Sequence, residues 1–142
     1  MSEENKAIVR REVEELFNHT GTLDAAEEVY APDFVSHDPT MPEDLRGIEE
    51  ARQFAAGFRS AFPDLTCTIE DQVAEGDKVV TRWTIRGTQQ GEFRGIAPSG
   101  EQITLKGIGI FRFSEEGKVV ESWDNFDPLG MMQQLGAILA LE

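Results

Sequence analysis

Two stretches joined by a short acidic turn decide the fold: Ile103-Thr104-Leu105-Lys106-Gly107-Ile108-Gly109-Ile110-Phe111-Arg112-Phe113, then Glu115-Glu116-Gly117, then Val119-Val120-Glu121-Ser122-Trp123-Asp124-Asn125-Phe126. Both are rich in β-branched and aromatic residues, and the Gly-terminated turn between them reads as a hairpin of antiparallel strands. Upstream, Val79 to Thr88 has the same character. Leu65, Cys67, Ile69, Asp71 and Val73 alternate with polar partners as far as a turn at Glu75-Gly76-Asp77. The chain from Leu65 to Phe126 therefore reads as sheet, interrupted by a Gly- and Pro-punctuated excursion from Gln90 to Gly100.

Before Leu65 the apolar period is near 3.6. Ser2 is a helix cap with Glu3 and Glu4 in the first turn, and Val9, Val13, Leu16 and Phe17 share a face. After His19-Thr20-Gly21, Thr22 caps a shorter helix carrying Leu23, Ala26, Val29 and Tyr30, which Pro32 stops. Phe34 to His37 is a brief extended piece, and Asp38-Pro39 to Pro42 a loop. A long stripe of Ile48, Ala51, Phe54, Ala55, Phe58, Ala61 and Phe62 marks the main helix, ended by Pro63. A last helix starts near Asp127-Pro128, with Leu129, Met132, Leu135, Gly136 and Leu139 on one side. Helices followed by hairpin-linked strands make an α+β chain, in which helices cover one face of a strongly curved antiparallel sheet and leave a concave pocket.

At 142 residues, with 39% hydrophobic and 28% charged residues, the chain suits one domain spanning residues 1–142. It can bury roughly 68–70% of its unfolded surface without a staple. Thirteen Lys and Arg against 27 Asp and Glu give a net charge of −14. No clustered basic footprint stands out, so neither nucleic acid nor an anionic membrane is an expected partner. The lone Cys67 excludes an intramolecular disulfide, and two histidines give no zinc spacing. No metal or other cofactor is expected. No apolar run approaches the ~18–20 residues of a membrane span, and the acidic start is unlike a secretory signal, which points to a reduced cytoplasmic setting.

With this order of elements the chain resembles the SnoaL-like polyketide cyclases, also called ester cyclases, of the cone-shaped superfamily typified by nuclear transport factor 2 and ketosteroid isomerase. The carriers are Ser36-His37-Asp38-Pro39, Phe62-Pro63-Asp64-Leu65, Val79-Val80 with Arg82-Trp83-Thr84, the excursion Gly87-Thr88-Gln89-Gln90-Gly91 to Pro98-Ser99-Gly100, Gly117-Lys118-Val119-Val120-Glu121 to Trp123, and Asp127-Pro128-Leu129-Gly130 with Gln133-Gln134-Leu135-Gly136. The resemblance runs from about Ile8 to Leu139. It implies a cofactor-free enzyme that closes a ring by intramolecular aldol condensation of a polyketide ester. It also implies a homodimer paired through its sheets. A non-catalytic ligand-binding module, a cone filled by its own side chains, and an isomerase or epoxide hydrolase are the competing readings. The isomerase is disfavoured because the only tyrosine, Tyr30, falls in the second helix.

The resemblance also implies an aspartate acid/base near the end of the last strand, where this chain has Asp124 and Asp127. Spacing from Trp123 favours Asp127, with Asp124 as the alternative. A carboxyl on an apolar wall has its charged form disfavoured and can move a proton near neutral pH. Asp127 before Pro128 is also an ideal helix cap. Strand alternation sends Val119, Glu121, Trp123, Asn125 and Asp127 one way and Val120, Ser122, Asp124 and Phe126 the other, so both acids cannot line one wall. A two-residue turn sets Ile110 opposite Trp123, a one-residue slip Gly109, and the sequence leaves both open. Gly107 and Gly109 mark a bend, room for a bulky neighbour, or close approach of a ligand. Trp83, Trp123, Phe58 and Phe111 are the expected pocket lining around a small hydrophobic molecule. His37 and Gln89 are the expected polar contacts. Gln89 stands where relatives commonly carry histidine in Gly-Thr-His-x-Gly, and it cannot act as an acid or base.

Overall fold

A computed structural model describes residues 2–137. The first helix, α1, runs Ser2–Arg11 with Glu3 and Glu4 at its positive end and Arg10 and Arg11 at its negative end, complementing the helix dipole. It widens into a π-turn over Glu12–Phe17, whose last turn closes when the Asn18 N–H reaches Val13 O at 3.1 Å. The Asn18 side chain then pins this end to the sheet: its Oδ1 accepts from Cys67 N at 2.9 Å and its Nδ2 donates to Cys67 O at 3.2 Å. Gly21 is required beside it, because a Cβ there would sit 2.3 Å from Glu15 O.

Thr22 caps as expected, its hydroxyl accepting from the Asp24 N–H at 3.2 Å. The 3₁₀ turn Leu23–Ala25 and the short α2, Ala26–Val29, follow. Tyr30 is not in this helix: it opens strand β1, Tyr30–His37. Pro32 lies inside β1, in the irregular stretch between the Tyr30–Val119 and Val35–Glu121 pairs, where a missing N–H costs no ladder bond. The short strand β2, Leu45–Arg46, leads into α3, Gly47–Ala61, which buries Ala51, Ala55, Phe58 and Ala61.

Strands β3 (Thr66–Glu75), β4 (Lys78–Thr88), β5 (Gln102–Phe113) and β6 (Val119–Phe126) complete a six-stranded sheet in the order β2-β1-β6-β5-β4-β3. All neighbours are antiparallel except β1 and β6, which run parallel. That departs from the all-antiparallel expectation; β1 reaches β6 through α3 and four strands, so no hairpin fixes their relative direction. Between β5 and β6, Ile110 faces Trp123 and Arg112 faces Glu121, the unslipped register. Helix α4, Pro128–Gln134, docks on the start of β5, where the Gln134 amide exchanges bonds of 2.7 and 2.9 Å with Thr104 N and O. Leu139, expected on this helix, lies outside the described residues.

The helices and the sheet's inner face form an α+β cone with two apolar clusters. One joins Val9, Leu16 and Val29 to Phe34, Phe111 and Val119. The other joins Phe58, Phe62 and Leu65 to Ile85, Ile103 and Met131. A cavity opens where the two meet, drawing its walls from both. Among the described residues no helix is long and apolar enough to cross a membrane.

Candidate active site

Alternation along β6 turns Ser122, Asp124 and Phe126 to the cavity. Across the ladder, Gly109 pairs with Asp124 and Gly107 with Phe126. A Cβ on Gly109 would lie 2.4 Å from Asp124 Oδ1, and one on Gly107 would lie 2.3 Å from the Trp83 ring. The two glycines therefore make room for the acid and the indole, which resolves their reading as space for bulky neighbours. The cavity measures about 100 Å³, against ~300–1,000 Å³ for typical ligand sites. Aromatic rings from α3, β1, β4 and β5, among them Phe54, Phe58, Phe34, Trp83 and Phe111, make up much of its wall. The polar groups on that wall are few: Glu12, Tyr30, Ser36, Asp38, Thr81, Arg94, Ser122 and Asp124.

Charge is costly in such a place, and the carboxyls respond. Burial, helped by repulsion from Asp38 and opposed by a hydrogen bond from Trp83, raises the Asp124 pKa to about 7. Burial raises Glu12 to about 8, against the pull of the Tyr30 hydroxyl that donates to it, with Asp124 adding repulsion. Tyr30 is pushed well above its ordinary value by burial and by these two acids. The Cys67 thiol on the same wall rises to about 12 for the same reasons, so it is inert as a nucleophile at neutral pH.

The excursion that follows β4 contributes Arg94 to the cavity wall. Arg94, at a φ of 50°, donates to Thr40 Oγ1 at 2.8 Å and lies 3.8 Å from Asp38 Oδ2. Asp38 in turn accepts from the Thr40 N–H at 2.8 Å, the turn role read from its place before Pro39. Among the described residues no group of three or more His, Cys, Asp or Glu is arranged to hold a metal ion.

The SnoaL-like polyketide cyclase family model matches residues 7–135, nearly the whole chain. The chain belongs to that family. It is similar to a candidate SnoaL-like polyketide cyclase from Jannaschia sp. CCS1, at 30% identity and a TM-score of 0.87, covering 96% of this chain and 94% of that one. It also resembles AclR, a candidate hydroxylase from Streptomyces galilaeus, at 28% identity and a TM-score of 0.84, covering 100% and 87%. IdmH, a candidate polyketide cyclase from Streptomyces antibioticus, matches at 32% identity and a TM-score of 0.78, covering 93% and 98%. No curated protein matches by sequence.

On this SnoaL-like frame the expected site residues separate. Asp124, Trp83, Phe58 and Phe111 line the cavity. Asp127 does not: it is exposed and caps α4, its Oδ1 accepting from the Gly130 N–H at 2.9 Å. Trp123 and His37 are turned to the opposite face of the sheet, where their rings stack at 5.5 Å. His37 is held there by Glu121 at 2.7 Å and Asp44 at 3.1 Å, so its polar capacity is spent on the protein. Gln89 is fully buried but makes no wall of the cavity. Its amide donates to Gly91 O and Ile96 O, and its oxygen accepts from Ser99 N and Oγ, so it holds the excursion together and has no bond left for an oxyanion.

Glu12, Tyr30 and Arg94 also line the cavity, which the sequence does not lead one to expect. Glu12 carried a signal, because it lies three residues after Val9 and one before Val13, on the apolar stripe of the first helix. Tyr30 reads as helical because Pro32 has the look of a helix stop, whereas Pro32 lies within β1. Arg94 belongs to an irregular loop whose path no periodicity reveals.

Proposed function

We propose that this SnoaL-like protein closes a ring on a small, largely apolar carbonyl compound by intramolecular aldol chemistry, with Asp124 moving the proton. The observation that carries the reading is the Asp124 carboxyl on an apolar wall, with its pKa raised to about 7. Such a group is part ionised and part protonated at neutral pH, so it can take a proton from carbon and return one. Trp83 steadies the charged form, and Ser122 and Thr81 offer hydroxyls on the same wall. The names of IdmH and the Jannaschia protein support the reaction class, and the chemistry asks for no cofactor.

A second reading is favoured by the place of Tyr30. With a tyrosine on the same wall as the acid, shifting a double bond in an unsaturated ketone uses the same proton transfer from carbon. The product separates the two, a new ring in one case and a moved double bond in the other.

The test begins with mass spectrometry of any small molecule that copurifies with the folded protein, followed by turnover assays on its open-chain carbonyl precursors. Asp124→Asn is expected to bind the same molecule and lose turnover by at least ~100-fold, the usual scale of a general acid/base. Asp127→Asn is expected to stay within about twofold of wild type. Binding without product in the wild-type protein would instead identify a ligand-binding module.

A further inference from the structure

Ring closure by Asp124 alone leaves a second inward carboxyl unused. Glu12 is only 7% exposed and lines the cavity. It stands at the point where α1 widens into a π-turn, a local irregularity that recurs at functional sites. No Lys or Arg among the described residues forms an ion pair with it. Its hydrogen bond is with the Tyr30 hydroxyl, which donates to Oε2. No buried side-chain oxygen or nitrogen is sealed without a partner among the described residues, so Oε1 opens toward the cavity. Burying an unpaired carboxylate is expensive, and the group remains a neutral acid instead. With Oε2 accepting from Tyr30, the acidic proton resides on Oε1, the oxygen free to meet a guest.

We propose that Glu12, oriented by Tyr30, is a second catalytic residue that donates a hydrogen bond and then its proton to the carbonyl oxygen under attack. The proposal rests on the ring-closure reading above and deepens it. The Asp124 carboxylate takes a proton from the carbon next to one carbonyl, and the C–H electron pair becomes the enolate that forms the new C–C bond to the second carbonyl carbon. The π pair of that carbonyl moves to its oxygen, which takes the Glu12 proton. The substrate loses one proton and gains one. The enzyme is left with the proton on Asp124 and the charge on Glu12, and passing that proton back resets it. A neutral carboxylic acid aimed at a developing oxyanion stabilises it most where water is excluded.

The experiment uses 4-nitrophenol, whose phenolic oxygen stands in for the oxyanion and whose absorption reports hydrogen bonding. At pH 7 the full-length protein is expected to bind it with a displaced absorption maximum. Glu12→Gln should weaken binding about tenfold, the scale of one strong hydrogen bond, and Asp124→Asn should not weaken it. Infrared spectra of Asp124→Asn at pH 7 should retain a protonated-carboxyl band that shifts when 4-nitrophenol is added, a readout independent of how well the Glu12 variant folds. Equal binding by wild type and Glu12→Gln, no binding by either, or absence of that band overturns the role of Glu12. Normal turnover by Asp124→Asn overturns the ring-closure reading instead, so the two failures are told apart.

Discussion

Glu121 and Asp124 lie three residues apart on β6 and have opposite fates. Glu121 faces outward, where His37 and Arg112 both donate to it and hold its pKa below the usual carboxylate value. Asp124 faces the cavity, where loss of water raises it to about 7. The odd spacing of three positions makes the difference, because strand side chains alternate. One acid is spent on an outer ion-pair network, and the other is left poised for proton transfer. The lesson is that the face of the strand, more than the residue type, sets the chemistry of a carboxyl here.

The sharpest way to break this comparison is to neutralise each acid in turn. Asp124→Asn should lower turnover by ~100-fold or more, while Glu121→Gln, losing a partly exposed network, should leave turnover within a few-fold and cost at most about 1 kcal/mol in a denaturant titration. Equal losses of activity would erase the distinction between the faces.

The glycines opposite the inner face give the next largest effect. Gly107→Ala drives a methyl into the Trp83 ring and to 2.8 Å from Asn125 O, neither easily displaced, so about 1–3 kcal/mol of stability should be lost. Gly109→Ala meets the tip of the Asp124 side chain, which can swing away. It should cost less stability than Gly107→Ala and more activity. Thermal melts beside turnover assays check this crossing of ranks.

The pH dependence of stability separates the two inner acids from Glu121 by sign. Asp124 and Glu12 bind protons more tightly folded than unfolded, so their contribution is present below about pH 4 and is lost as pH rises toward 7 to 8. Glu121, held low, contributes above its unfolded value and is lost as pH falls. His37, raised by Glu121 and Asp44, contributes at acid pH and is lost as pH rises through its folded value. Wild-type stability should therefore decline between pH 4 and 8, with a slope of up to about 1.4 kcal/mol per pH unit for each proton involved. Asp124→Asn and Glu12→Gln should each flatten it, as urea titrations at several pH values would show. A profile unchanged by both would mean that the inner acids are not raised.

The smallest effect belongs to Asp127. Asn caps a helix as well as Asp, so Asp127→Asn should alter stability by a few tenths of a kcal/mol, and Asp127→Ala by about 1 kcal/mol. A large activity loss in Asp127→Asn would reopen its claim to the chemistry.

Much of the architecture was legible in the residues alone. The switch from a period of 3.6 to one of 2 after Pro63, and the Gly-marked turns, gave β4, β5, β6 and α3 nearly to their ends. Alternation along β6 correctly divided Ser122, Asp124 and Phe126 from Glu121, Trp123 and Asn125, but it could not say which set faced inward. That depended on where the helices lie, which is a long-range property. Gln89 and His37 look like ligands for substrate because they are polar and close to turns, and only their satisfied hydrogen bonds exclude them. Arg94 and Tyr30 reach the cavity through a loop and a bulged strand start, and neither has a local signature.

The sequence by itself determined a membership and an order of elements, because periodicity, caps and turns act over a few residues and leave their mark in composition. The tertiary structure alone decided which acid is dry. A carboxyl's proton affinity depends on the water and charge around it, and those come from Val9, Phe58 and Trp83 on three distant elements that the fold brings to the same wall.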